Sequence, residues 1–155
     1  MVEQSQFDLI LEQPFHQALE EVEGALKSLG FTIITRIDVQ RMMREQMDIE
    51  FHPYVILGAC DTPIASRALE IDPSIGLMLP CNVSVETNPA GHIHIRVADP
   101  VESLGCRASE NPLLASLAVE AAQRLSAVIA LLRASARPTS PDSKPWERLS
   151  HLNHE

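Results

Sequence analysis

The sequence has 155 residues, 45% of them hydrophobic, which is enough for one domain with its own hydrophobic core. Its formal net charge of −9 argues against nucleic acid or an anionic membrane as the main partner, since both require clustered positive charge. A basic, apolar leader and an uninterrupted apolar stretch of about 20 residues are both missing, so we expect a cytoplasmic protein with no membrane partner.

The first third of the chain predicts a strand, a helix and a second strand. Residues 7–11 have the composition of a strand, and apolar side chains spaced by three and four along residues 14–29 predict an amphipathic helix. Residues 31–37 are rich in β-formers, and regular alternation would place Ile33 and Ile37 on the same face.

The middle of the chain contains a buried strand followed by a short helix and another strand. Residues 54–59 form a continuous apolar run that ends at Cys60. Asp61 and Thr62 are both suitable N-caps for the helix that follows. A further strand is predicted over residues 75–79, and it resumes at Cys81 after a proline.

The last third predicts a hairpin, a loop and a long helix. Residues 88–91, with the sequence NPAG, are a turn signal between two strands, and residues 101–110 read as a loop. An Asn-Pro start and a long apolar face predict a helix to about residue 134. We therefore expect one domain over residues 1–136 and a flexible tail over residues 137–155.

This order of elements predicts an α+β fold. It is β-α-β-β-β-β-α with short extra helices in the connections, and antiparallel pairing is expected to dominate a sheet of about five strands. The two long helices would then pack on one face of that sheet.

Four short patterns in the middle of the chain resemble the domain-of-unknown-function 302 family of bacterial and archaeal proteins. The patterns are GAC, A-x-x-A-L, DP-x-I-G and LPCN-V-x-V. Their residues are Gly58, Ala59, Cys60, Ala65, Ala68, Leu69, Asp72, Pro73, Ile75, Gly76, Leu79, Pro80, Cys81, Asn82, Val83 and Val85. Weaker similarity in the flanks extends the resemblance from about residue 7 to 135. The resemblance implies a TATA-binding-protein-like topology and transfers no established activity.

Two cysteines and their polar neighbours are the candidate site. A thiol at a helix N-terminus has its thiolate stabilised, so we expect a pKa for Cys60 below the free-thiol value of about 8.5. If the two strands are neighbours, Cys60 and Cys81 share a pocket and could bind a soft metal ion or haem iron. Asp61 and Asn82 would orient a ligand there. The alternative is that both cysteines are small core residues, that Asp61 is a helix cap and that Asn82 stabilises a bulge.

His92 and His94 form an H-x-H pattern in a predicted strand, so both imidazoles would point to one face. Such a pair could bind zinc or copper, but no third ligand lies nearby in the sequence. We prefer the interpretation of a solvent-facing hairpin.

The absence of known catalytic motifs from the sequence favours a binding protein over an enzyme. A glycine-rich phosphate loop, a nucleophile elbow and an H-E-x-x-H motif are all missing from the sequence. Two hypotheses follow. The first is a thiol-based protein that binds or transfers a soft metal, haem or a sulfur species through Cys60 and Cys81. The second is a non-catalytic module, expected as a homodimer, that binds a small ligand or a protein and uses the cysteines as core residues.

Overall fold

The computed structural model describes residues 5–136, except for the side chain of Cys106, and a five-stranded sheet forms its centre. The strands are β1 (Asp8–Leu11), β2 (Thr32–Asp38), β3 (Tyr54–Cys60), β4 (Cys81–Thr87) and β5 (Ile93–Val97). Their spatial order is β1-β5-β4-β3-β2, and every neighbouring pair is antiparallel. The edges of the sheet are therefore β1 and β2.

The long helices α1 (Phe15–Ser28) and α6 (Pro112–Ser135) cover one face of this sheet. The shorter helices are α2 (Val39–Met47), α3 (Thr62–Ile71), α4 (Pro100–Ser103) and α5 (Gly105–Ala108), with a 3₁₀ segment at Pro73–Met78. The long helices α1 and α6 contact each other and share one hydrophobic core with the sheet. The predicted α+β fold is confirmed. The tail predicted for residues 137–155 lies outside the described residues.

Helix α6 is the central helix of the core. By length and composition it could cross a membrane, and it is the one helix in the described part of the chain that meets this test. Eight of its residues are nevertheless buried inside the domain: Leu114, Leu117, Ala118, Ala121, Leu125, Val128, Ile129 and Leu132. This is the arrangement of a core helix.

The predicted strand over residues 75–79 is wrong, because the chain forms the 3₁₀ segment there. Asp72 begins the segment, with its carboxylate accepting a hydrogen bond from the backbone N–H of Ser74 (3.0 Å). Ile75 is buried against α6, whereas Leu77 is 84% exposed. A short apolar run does not distinguish a strand from a helical turn, and the Asp-Pro start decided the outcome here.

The loop predicted over residues 101–110 is also wrong in detail, since it contains the one-turn helices α4 and α5. The side chain of Asp99 caps the first of them by accepting a hydrogen bond from the N–H of Val101 (2.9 Å).

The predicted orientation of the side chains of β2 is wrong beyond the third residue of the strand. The register against β3 shifts between Ile33 and Thr35, which marks a β-bulge. Beyond the bulge, Arg36 lies on the helix-covered side, where it pairs with Glu23 of α1 (2.7 Å). Ile37 is consequently turned to the uncovered side and is exposed.

Candidate functional site

The four residues singled out by the sequence, Cys60, Asp61, Cys81 and Asn82, line one cavity of about 380 Å³. It lies between the adjoining ends of β3 and β4, helix α3, the 3₁₀ segment and helices α4 and α6. Most of its wall is apolar, and α3 and α6 contribute Ile64, Ala65, Ala68, Leu117, Ala118, Ala121 and Leu125.

The pairing of β3 with β4 brings the two cysteines together. Ala59 and Cys81 are direct partners across this ladder, and Cys60 is the next residue along β3. The condition set for a shared pocket, that the two strands are neighbours, is therefore met. Both cysteines are only partly buried, and both are free thiols.

Burial and nearby negative charge favour the protonated form of both thiols. Burial raises the pKa of Cys81 to about 11, with smaller contributions from the charges of Cys60 and Asp61. Burial and the neighbouring carboxylate of Asp61 also raise the pKa of Cys60, while a hydrogen bond with Thr62 opposes them. The lowered pKa expected for Cys60 is wrong, because desolvation and a like charge outweigh the helix terminus.

Asp61 is the buried charged group of the site, with 6% of its surface exposed. Its Oδ1 accepts a hydrogen bond from the N–H of Ile64 (3.3 Å), so the predicted helix cap is confirmed. Its enclosed Oδ2 makes no directed hydrogen bond but forms an ion pair with Arg124 of α6. Arg124 also donates to the backbone oxygen of Leu29 and lies over the ring of Phe31, 5.5 Å from its centroid.

Sequence reasoning missed Arg124 as part of the site. The available signal was a lone cation in the middle of a long, mostly apolar helix. Such a charge needs an anionic partner when it faces the interior. Nothing local in the sequence identified that partner as Asp61.

Asn82 stands at the exposed margin of the cavity. It pairs with Gly58 in regular register, so the bulge-stabilising role considered for it is wrong. Its backbone oxygen accepts a hydrogen bond from the N–H of Ala98 (2.9 Å).

His94 lies in β5 and His92 directly precedes it, and neither residue lines the cavity. His94 pairs with Asp8, and Nε2 of His92 lies 3.5 Å from Glu12. Each imidazole thus has its own carboxylate partner. Within residues 5–136, no three side chains of His, Cys, Asp or Glu come together in a way that could bind a metal ion.

Comparisons with known proteins identify the family. The crystal structure of an uncharacterized conserved DUF302 protein from Bacillus stearothermophilus is similar to this one, with a TM-score of 0.71 and 26% sequence identity. The similarity covers 79% of this chain and 93% of that one. No curated protein matches the sequence significantly. The family model described as domain of unknown function DUF302 matches residues 7–132. As its sequence patterns predicted, the chain belongs to the DUF302 family.

Proposed function

We propose that the protein is a non-catalytic module that binds a small, predominantly apolar ligand in the cavity. The observation that carries the proposal is the convergence of Cys60, Cys81 and Asn82 on one apolar cavity of about 380 Å³. Small-molecule sites are typically concave and apolar, with a few polar groups that orient the ligand, and their volumes start at about 300 Å³. The two thiols and the amide would supply those polar contacts.

Filling the cavity tests this proposal. Ala121 of α6 is buried in the cavity wall, so Ala121→Leu should abolish binding of hexanol in a titration followed by NMR chemical shifts. Ala127→Leu makes the same change at an exposed position of the same helix and should leave binding unchanged. The proposal is wrong if the wild-type protein shows no saturable binding, or if Ala121→Leu binds hexanol as well as the wild type does.

A second candidate function is thiol-based binding of a soft metal ion, haem iron or a sulfur species. The observation that favours it is that Cys60 and Cys81 lie at the adjoining ends of two paired strands and line the same cavity. Thiolates are soft ligands that suit Cu(I), and a bound cation would displace both thiol protons.

Anaerobic titration with Cu(I) tests this second function. Cys60→Ser and Cys81→Ser should each lose the bound ion, while Cys106→Ser, at the third cysteine, serves as the matched control. Equal copper binding by all three variants would exclude a shared thiol site. The same variants, titrated with haem and followed by absorption, test ligation of haem iron.

We further infer a cytoplasmic location, with neither nucleic acid nor a membrane as partner. Support comes from the net charge of −9 and from two free thiols, which a reducing compartment preserves. Cell fractionation, with the redox state of Cys60 and Cys81 as a second readout, tests this location.

A further inference from the structure

One charged residue lines the described wall of the cavity, and its charge is negative. Asp61 is the only formally charged side chain among the described residues that line it. The other polar groups of the wall are neutral or held neutral: Cys60, Cys81, Asn82 and Ser103. The described wall therefore contains one anionic residue, whose carboxylate caps α3 and pairs with Arg124, and no cationic residue.

The cation that balances Asp61 lies behind the wall. Arg124 is not among the residues that line the cavity, and 38% of its side chain is exposed against 4% for Asp61. Its charge is therefore screened by solvent and shared with the oxygen of Leu29 and the ring of Phe31. After burial, the negative charge of Asp61 contributes to the raised pKa of both thiols, which indicates that its field reaches the cavity.

An anionic ligand would meet two penalties here. It would lose its hydration on entering an apolar cavity, and the described wall has no cation to pair with it. It would also be repelled by Asp61. A positively charged group pays the same desolvation cost but gains the attraction of the carboxylate.

We propose that the cavity selects its ligand by charge: the end of the ligand that reaches the thiols is neutral or positively charged, and carboxylates and other anions are excluded. This inference rests on the proposed function, since it names the class of ligand bound at the same site. Asp61 is the residue that determines the selection.

Three probes of one chain length test the selection, namely hexylamine, hexanol and hexanoate at neutral pH. We expect the wild-type protein to bind hexylamine at least about tenfold more tightly than hexanoate, with hexanol between them. Asp61→Asn keeps a side chain that caps α3 well but removes the charge, so the ratio of hexylamine to hexanoate affinity should fall towards one.

Asp38→Asn is the matched control. Asp38 caps α2 by accepting a hydrogen bond from the N–H of Arg41 (3.0 Å), and it lies outside the cavity. This variant should keep the wild-type ratio, which shows that the effect belongs to the cavity and not to the loss of one negative charge.

The outcomes separate this inference from the function on which it rests. If none of the three probes binds the wild-type protein, the proposed ligand-binding function is wrong. If hexanol binds and hexanoate binds as tightly as hexylamine, the function stands and the charge selection is overturned. A wild-type ratio in Asp61→Asn also overturns the inference, because the carboxylate would then not be the determinant.

Discussion

Because the thiol of Cys81 is buried, its ionisation in alkaline solution affects the stability of the domain. Its pKa of about 11 in the folded protein lies above the ordinary value of 9.0. The folded state therefore retains a proton that the unfolded state loses. This contribution to stability is fully present below pH 9.0 and is lost as the pH rises through about 11.

We expect the free energy of unfolding to fall between pH 9.0 and about 11, and to fall less steeply in Cys81→Ala. Other groups titrate in this range as well, so the difference between the two proteins is the relevant quantity. Urea unfolding followed by circular dichroism at several pH values measures it. Parallel curves for the two proteins would show that the thiol of Cys81 ionises as easily in the folded state as in the unfolded chain.

Gly58 is required by close packing beneath the site. A Cβ atom at this buried position of β3 would lie 2.6 Å from Cγ of Pro80 and would also overlap Oγ1 of Thr35. The proline ring cannot rotate away, so Gly58→Ala should destabilise the domain by about 1–3 kcal/mol. At Gly24 of α1 no atom lies within 4 Å of the added Cβ, and the same substitution should stabilise the helix by about 0.5–1 kcal/mol.

Thermal and urea unfolding of the two glycine variants provide the measurement. Each serves as the control for the other, because the chemical change is identical and only the surroundings differ. A neutral or stabilising effect of Gly58→Ala would mean that the Pro80 segment moves freely away from β3.

For helices and strands, features set by neighbouring residues, such as helix caps, could be predicted from the sequence. Features that depend on how distant segments fit together, such as the bulge in β2, could not. Asp61 was identified as a cap because the cap and the helix it starts are adjacent in sequence. The bulge between Ile33 and Thr35 depends on how β2 fits β3, and the chain from residue 31 to 37 carries no signal for it. The apolar run after Pro73 was ambiguous between a strand and a helical turn.

The same distinction explains which residues of the candidate site could be predicted. Cys60 and Cys81 could be placed together because each belongs to a recognisable strand, and those strands pair directly. The opposite wall comes from α6, whose contacts with α3 join residues that are far apart in sequence. Arg124 was therefore not predicted to belong to the site, although a charged residue in an apolar helix can be recognised in the sequence.

We infer that the expected homodimer would form through the edge strand β2. Ile34 and Ile37 are exposed there, and an edge strand has unpaired backbone N–H and C=O groups that can pair with another strand.

We expect wild-type protein to elute with the mass of a dimer in light scattering, and Ile37→Lys with that of a monomer. Ile10→Lys places the same charge on an exposed isoleucine of the other edge strand, β1, and should remain dimeric. A monomeric wild-type protein, or equal effects of the two substitutions, would contradict pairing through β2.

For the whole molecule, α6 joins two hydrophobic cores. Its C-terminal part packs with α1 and the sheet, where Leu125 and Ile129 are fully buried. Its N-terminal part packs with α3 and the 3₁₀ segment through Leu114 and Leu117. The cavity lies where the two cores meet, since Leu117 and Leu125 both contribute to its wall. Because one helix crosses both cores, loosening it at the junction should weaken the domain as a unit.

Leu125→Ala tests that dependence. Leu125 has no exposed surface, so its truncation should lower the free energy of unfolding by about 2–5 kcal/mol. Leu131→Ala makes the same change on the same helix at a position that is 43% exposed, and should cost no more than about 0.5 kcal/mol. Urea unfolding with two probes, secondary structure by circular dichroism and the NMR methyl signals of Ile75 in the α3 core, shows whether both cores are lost together. If the Ile75 signals were to change before the loss of helix in Leu125→Ala, the core around α3 would be an independent unit, and α6 would not couple the cavity to the rest of the fold.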